Sequence, residues 1–145
     1  MKAIIQRIHK ARLTVNDVEI SSCGEGYLVL VGFTQGDTTK NCDYIVNRII
    51  NMRIFRDEDG KLNKSLLDVN GEVMIVSNFT LYGDPTTNRR PDFSKALKYD
   101  EAKPLYDYAY NLFVEKLGKA AHGVFGEHMH IEMVNDGPLT IIMEK

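Results

Sequence analysis

Four residues with reactive or recognising side chains follow one another where a strongly apolar segment ends. Ser77 and Thr80 carry hydroxyls, Asn78 carries an amide, and Phe79 carries an aromatic ring. The preceding residues 72–77 have the β-branched, apolar pattern of a strand. Backbone N–H groups become free where a strand ends, and ligand sites often lie there. The segment is therefore a candidate catalytic site, although a strand that ends in a threonine turn gives the same pattern.

The chemistry that these hydroxyls could perform is restricted by their neighbours. Neither Ser77 nor Thr80 lies in a Gly-x-Ser-x-Gly elbow, and no His–Asp pair forms a recognisable triad with them. A threonine hydroxyl needs an adjacent base to act as a nucleophile. We therefore expect Thr80 to act by its position and its backbone N–H rather than as a nucleophile.

A second motif lies near the C-terminus, at residues 135–140. Asn135, Asp136 and Gly137 tolerate the positive φ of tight turns, so they predict a hairpin between strands at 128–134 and 139–144. Pro138 is unusual at the start of a strand because it has no backbone donor, and X-Pro bonds adopt cis at low cost. Gly137 would let another molecule approach the backbone closely.

A basic region separates the two motifs. Residues 86–104 hold five cations against three carboxylates, which is a local excess of two positive charges in a chain of net charge −2. Phe93 and Tyr99 lie among these cations and could stack on a base. The region is either a phosphate-docking surface or a solvated loop. Its docking candidates are Arg89, Arg90, Lys95 and Lys98.

No metal or cofactor site is predicted. His128 and His130 have the spacing of two ligands on one strand, but zinc needs three or four. The acidic turn at residues 57–59 lacks the spacing of a calcium loop. Cys23 and Cys42 fit no redox motif, so we expect reduced thiols and a cytoplasmic location without membrane attachment.

The pattern of apolar residues predicts one domain over residues 1–145. Residues 26–33 are almost wholly apolar, which is typical of a central strand buried on both faces. Helices are expected at 40–53 and at 101–117, the second capped by Asp100 with Pro104 in its first turn. Asn16-Asp17 and Asn70-Gly71 predict further hairpins. The expected fold is α/β: a layered sandwich with two main helices and a mixed sheet built from hairpins.

The two motifs together resemble those of the D-aminoacyl-tRNA deacylase (D-tyrosyl-tRNA deacylase) family, Ser-Gln-Phe-Thr-Leu and Asn-x-Gly-Pro-x-Thr. The resemblance covers the whole chain and includes residues 5–7, 53–58, 60–63, 90–93 and 125–129. Asn78 stands where the family usually has Gln, so this amide has one methylene less of reach. Asp92 stands where Ser is usual and lowers the local positive charge.

The resemblance implies a homodimer of a β/β/α layered fold that binds the 3′-terminal aminoacyl-adenosine of tRNA. It implies that Ser77, Phe79, Thr80 and Met129 line one subunit's pocket, with Phe125 near the adenosine. It also implies that Gly137 and Pro138, joined by a cis bond, enter that pocket from the other subunit.

The implied reaction is hydrolysis of the ester of D-aminoacyl-tRNA. An L side chain would collide with Gly137 and Pro138, whereas glycine would not, so glycine mischarged on tRNA-Ala is also an expected substrate. The alternatives are a deacylase of relaxed stereochemistry that acts on mischarged L-amino acids and a non-catalytic nucleotide- or amino-acid-binding module.

Overall fold

The computed structural model describes residues 1–86 and 88–145, so position 87 of the predicted polar loop lies outside the described residues. The chain has an α/β fold with a mixed sheet and two main helices. The helices are α1 (Thr39–Asn51), α2 (Tyr99–Leu117) and a short 3-10 helix, Phe79–Tyr82. The strands are β1 (Lys2–Val15), β2 (Val18–Cys23), β3 (Gly26–Gly32), β4 (Phe55–Arg56), β5 (Leu62–Lys64), β6 (Glu72–Ser77), β7 (Ala121–His122) and β8 (His130–Glu144).

The 14-residue strand β1 is the centre of the sheet. Along one edge it pairs first with β3 and then with β2, and along its other edge it pairs antiparallel with β8. The turn between β1 and β2 consists of Asn16 and Asp17, both at positive φ, which confirms the predicted hairpin. Next to β3 the sheet continues with β6 and β7 in parallel, so it is mixed rather than built from hairpins alone.

Two buried clusters lie on opposite faces of the sheet. Both helices pack on one face, where α1 contributes Ile45 and Ile49 and α2 contributes Phe113. Leu13, Leu28 and Met74 lie in the second cluster, against which the first half of β8 packs. Central strand β3 is buried nearly throughout, as its apolar sequence predicts.

Three local predictions are wrong. Residues 135–137 form no hairpin, because β8 runs through them as one strand paired with β1. Asn70 has positive φ, but the chain after it enters β6, which pairs in parallel with β3 and β7 and not with β5, the strand directly before it. Helix α2 begins at Tyr99 after Lys98, so Asp100 is not its cap and Pro104 lies in the second turn.

Both cysteines are free and buried. Burial raises the pKa of Cys23 and that of Cys42 to about 11, so both thiols stay protonated near neutral pH.

The parallel contact of β3 with β6 predicts a strict requirement for glycine at position 26. Gly26 has φ +154°, and a Cβ there would lie 1.9 Å from the Glu72 carbonyl oxygen. We expect Gly26→Ala to lower the free energy of unfolding by about 3 kcal/mol or more, measured by urea denaturation. The matched control is Gly36→Ala, which also has positive φ but meets no atom within 4 Å. It should cost about 1 kcal/mol, and equal losses in the two variants would contradict the role of the β3–β6 contact.

Candidate active site

A cavity of about 770 Å³ opens where β6 ends. Strand β6 runs out at Ser77, and the chain turns at once into the 3-10 helix that starts at Phe79. The cavity brings this segment together with residues about 45 positions later in the sequence. Its lining includes six of the predicted site residues: Ser77, Asn78, Phe79, Thr80, Phe125 and Met129.

The amide of Asn78 determines the local geometry around Thr80. Asn78 is the N-cap of the 3-10 helix, and its Oδ1 accepts the Thr80 N–H at 3.2 Å. The same oxygen accepts the Thr80 hydroxyl proton at 2.5 Å. The Thr80 hydroxyl is therefore oriented toward an amide oxygen, which is not a base strong enough to deprotonate it.

This geometry corrects the prediction that the Thr80 N–H is free. Because that N–H already donates to Asn78, it is not an open donor. The Phe79 N–H, in contrast, has no hydrogen-bond partner among residues 1–86 and 88–145. Of the two backbone donors, Phe79 provides the one that is available to an oxyanion.

Aromatic rings form much of the cavity wall. Phe79 meets Phe93 edge to face with ring centroids 5.1 Å apart, and Tyr99 meets Phe125 in the same way at 5.0 Å. Phe125 also contacts Tyr106, whose hydroxyl donates to the Ile75 carbonyl at 2.9 Å. The wall under Phe125 is thereby tied to strand β6. Such a wall suits the flat face of a nucleobase.

Two titratable residues of the cavity were not predicted as site residues. Glu127 and His128 line it beside Met129. His128 was considered only as a metal ligand, and its ring packs edge to face on that of His130 at 5.1 Å. Nothing in the local sequence signals their position, because the loop before β8 reaches the cavity only through the fold. Within the described part of the chain, no group of three or more His, Cys, Asp or Glu side chains could hold a metal ion.

The four basic docking candidates lie outside this cavity, on the exposed segment 88–98. Lys95 forms an ion pair with Asp84 at 3.4 Å. A hydrogen bond from the Thr86 hydroxyl, with further help from Lys95, lowers the pKa of Asp84 to about 2. Arg89, Arg90 and Lys98 form no ion pair with any residue that the structure describes.

Gly137 and Pro138 lie in a bulge of β8. Ile8 of β1 pairs with Asn135, and Gln6 pairs with Thr140, so four residues of β8 face one residue of β1. The bond between Gly137 and Pro138 is cis, as the resemblance implies, and both residues are exposed. Neither is among the described residues that line the cavity of their own chain.

The residue opposite this bulge is Arg7, whose side chain is buried. Its Nε lies 2.7 Å from Asp136 Oδ2, and its Nη1 donates to the Ile54 carbonyl at 2.5 Å. Its guanidinium also lies over the ring of Phe55, with the central carbon 6.0 Å from the ring centroid. The bulge is therefore anchored to the interior at Asp136, while Gly137 and Pro138 face outward.

Comparisons with known proteins agree with one another. The family model described as D-Tyr-tRNA(Tyr) deacylase matches residues 4–144. A D-aminoacyl-tRNA deacylase of Clostridium acetobutylicum is 42% identical over 99% of this chain and 97% of its own length. One of Bacillus velezensis is 44% identical over 99% of this chain and 98% of its own length.

Two solved structures share the fold. A structure titled c-Myc DNA Unwinding Element Binding Protein is 36% identical, with a TM-score of 0.94 over 100% of this chain and 99% of that one. A probable eukaryotic D-amino acid tRNA deacylase is 18% identical, with a TM-score of 0.85 over 98% of this chain and 97% of that one. By sequence, over nearly its whole length, the chain belongs to the D-Tyr-tRNA(Tyr) deacylase family.

Proposed function

We propose that this chain hydrolyses the ester bond of D-aminoacyl-tRNA and releases the free amino acid and the tRNA. The observation that carries the proposal is the cavity at the end of β6. There the Ser77–Thr80 segment and the aromatic wall at Phe125 meet in one space. A volume of about 770 Å³ suits a terminal aminoacyl-adenosine. The relatives named D-aminoacyl-tRNA deacylase support the same substrate class.

The reaction needs little from the protein beyond positioning. An aminoacyl ester is already activated, so hydrolysis requires mainly an oxyanion site and an oriented water. The free N–H of Phe79 is the donor for the oxyanion. Thr80 and Asn78 shape the pocket through their mutual hydrogen bonds, and the ribose 2′-OH beside the ester directs the water. No metal ion or cofactor takes part.

A second copy of the chain completes the site. Ile142, Ile4, Leu30 and Val76 are cross-strand neighbours on β8, β1, β3 and β6, so they form one apolar row. The outer end, Ile142, is 69% exposed, while Leu30 and Val76 already line the cavity. An apolar row that runs from an exposed edge into the cavity is a surface for a partner. The outer edge of β8 pairs with no strand of the described chain, so it too is open.

The partner's Gly137 and Pro138 then select the substrate's chirality. They are exposed on a bulge whose root is held by the buried Arg7. When this rigid backbone lies against the amino-acid α-carbon, an L side chain collides with it and a D side chain does not. Glycine has no side chain to collide, so glycine mischarged on tRNA-Ala is hydrolysed as well.

The remaining features of the proposal concern the assembly and its location. The assembly is a homodimer, and each subunit has the β/β/α layered fold, with the two main helices as its α layer. The protein acts in the cytoplasm, where its substrate is made. No helix among residues 1–86 and 88–145 is long and apolar enough to cross a membrane.

The proposed reaction predicts a ranking of three substrates. D-tyrosyl-tRNA and glycyl-tRNA should lose their ester at comparable rates, and L-tyrosyl-tRNA should be at least about 100-fold slower because of the steric clash. The measurement is the loss of ester with time at equal enzyme concentration. Equal rates for L- and D-tyrosyl-tRNA would instead support the deacylase of relaxed stereochemistry. Binding of all three without hydrolysis would support the non-catalytic module.

The hydrogen bond of Thr80 predicts a mild effect of removing its hydroxyl. Thr80→Ala should keep kcat within about tenfold of the original, because the hydroxyl points at Asn78 and no base activates it. A substrate with a 2′-deoxy terminal adenosine should be turned over at least about 1,000-fold more slowly. Thr86→Ala is the matched control, since Thr86 makes the same pair of bonds to Asp84 outside the cavity. An inactive Thr80→Ala variant that accumulates an acyl-enzyme, together with a competent 2′-deoxy substrate, would make Thr80 the nucleophile.

The apolar row predicts how the dimer dissociates. Sedimentation of the original chain should give about 33 kDa, twice its 16.5 kDa. Ile142→Glu places a charge at the exposed end of the row and should give a folded, inactive monomer. Val18→Glu is the control, because Val18 is 61% exposed at the turn between β1 and β2, away from that row. A fully active monomer would refute the shared site.

A further inference from the structure

A second cavity adjoins the candidate active site. It has a volume of about 510 Å³ and lies between the loop after β3 and the start of α2. The two cavities share Phe93, Ala96 and Leu97 as a common wall. A ligand longer than the first cavity could therefore reach over this wall into the second. The volume is within the range of roughly 300–1,000 Å³ that small-molecule sites occupy.

The shared wall is fixed to the end of strand β3. The Leu97 N–H donates to the Phe33 carbonyl at 2.8 Å, and the Thr34 hydroxyl donates to the Lys95 carbonyl at 2.6 Å. Thr34 and Ala96 also form an isolated antiparallel bridge. The segment between the two cavities is thus held before any ligand binds, which lowers the entropic cost of binding.

The two cavities differ in chemistry. The first is walled mainly by apolar and aromatic side chains, whereas the second carries polar groups at its edges: Gln35, Ser94, Lys98 and Glu101. These side chains are exposed. Neither the Lys98 ammonium nor the Glu101 carboxylate forms an ion pair within the described part of the chain. A cation and an acceptor that line one cavity suit a ligand that has both an anionic and an amino group.

We propose that this second cavity binds the penultimate nucleotide of the tRNA, a cytidine, and so extends the recognition of the 3′ end beyond the terminal adenosine. The proposal rests on the function proposed above, because it needs the adenosine in the first cavity. The Glu101 carboxylate accepts a hydrogen bond from the exocyclic N4 amine of cytosine, a pairing that carboxylates make with this base. Lys98 contacts the phosphate that joins the two nucleotides.

The chemistry of cytosine makes the assignment specific. Uracil has an oxygen acceptor where cytosine has its amine. That oxygen and the Glu101 carboxylate are both acceptors, so they cannot form a hydrogen bond with each other. An amide at position 101 can donate as well as accept, and it would therefore tolerate uracil. The Lys98 contact with the phosphate is therefore the same for every base, whereas the Glu101 contact depends on which base is present.

The test uses three short substrates: D-tyrosyl-adenosine and the D-tyrosyl esters of the dinucleotides CpA and UpA. The kcat/KM of the original chain should be about tenfold higher for the CpA ester than for the UpA ester. It should be lowest for D-tyrosyl-adenosine, which lacks the phosphate that Lys98 contacts. Glu101→Gln should raise the kcat/KM of the UpA ester toward that of the CpA ester. It should leave the kcat/KM of D-tyrosyl-adenosine unchanged. Lys98→Ala should lower the kcat/KM of both dinucleotide esters by the same factor. Glu115→Gln and Lys116→Ala are the matched controls, because both are exposed near the other end of α2.

Equilibrium binding of adenosine, CpA and UpA by calorimetry separates this proposal from the proposed function. A preference for CpA that Glu101→Gln abolishes supports the subsite even if no ester is hydrolysed. Hydrolysis of all three esters at one rate, with equal affinities for CpA and UpA, would overturn the subsite and leave the deacylase intact. A Glu101→Gln variant that alters the ranking of different D-amino acids on adenosine alone would also overturn it, since the cavity would then hold the amino-acid side chain.

Discussion

The pairing of β1 with β8 is irregular, and this irregularity determines where the Gly137–Pro138 bulge lies. Near the start of β1, Ile5 pairs with Ile141, and both pack on the side of the helices. Further along, Leu13 pairs with Ile131 in the other buried cluster. Between these two places the register of the pair changes twice, at His9 and at Arg7. The extra residues of β8 have no partners on β1 there, and they form the exposed bulge of Gly137 and Pro138. The motif therefore lies where the register of the β1–β8 pair changes.

The sequence predicts those parts of the fold that depend on local chemistry. The apolar run of β3, the faces of the two helices and the turn at Asn16-Asp17 are correct because each signal lies within a few residues. The turns predicted at residues 135–137 and at Asn70-Gly71 fail for one reason. Their residues do favour positive φ, but their strands pair with β1 and β3, which are distant in sequence. Long-range pairing leaves no local trace, so the turn chemistry was assigned to hairpins that do not form.

In the candidate site, too, the residues with a local sequence signal are predicted and those placed by long-range folding are not. The Ser77–Thr80 segment is visible in the sequence because it ends an apolar strand, and the resemblance added Phe125 and Met129. The positions of Glu127 and His128 depend on how the loop before β8 folds onto the cavity. The Thr80 N–H is occupied because Asn78 caps the 3-10 helix, and this short helix is not predicted from the sequence. The shorter amide at this position caps the 3-10 helix that presents Phe79.

Mixed dimers test the proposal that one subunit's cavity is screened by the other subunit's Gly137 and Pro138. One chain carries Ala96→Trp, which fills its cavity, and the other carries Pro138→Gly, which removes the rigid ring that screens the substrate. The only open cavity then belongs to the chain with the altered bulge. If the screen comes from the partner, this cavity faces an intact Gly137-Pro138. The mixed dimer should then hydrolyse D-tyrosyl-tRNA and spare L-tyrosyl-tRNA. Hydrolysis of L-tyrosyl-tRNA by the mixed dimer, at the rate of the Pro138→Gly homodimer, would show that the partner's bulge does not screen the cavity.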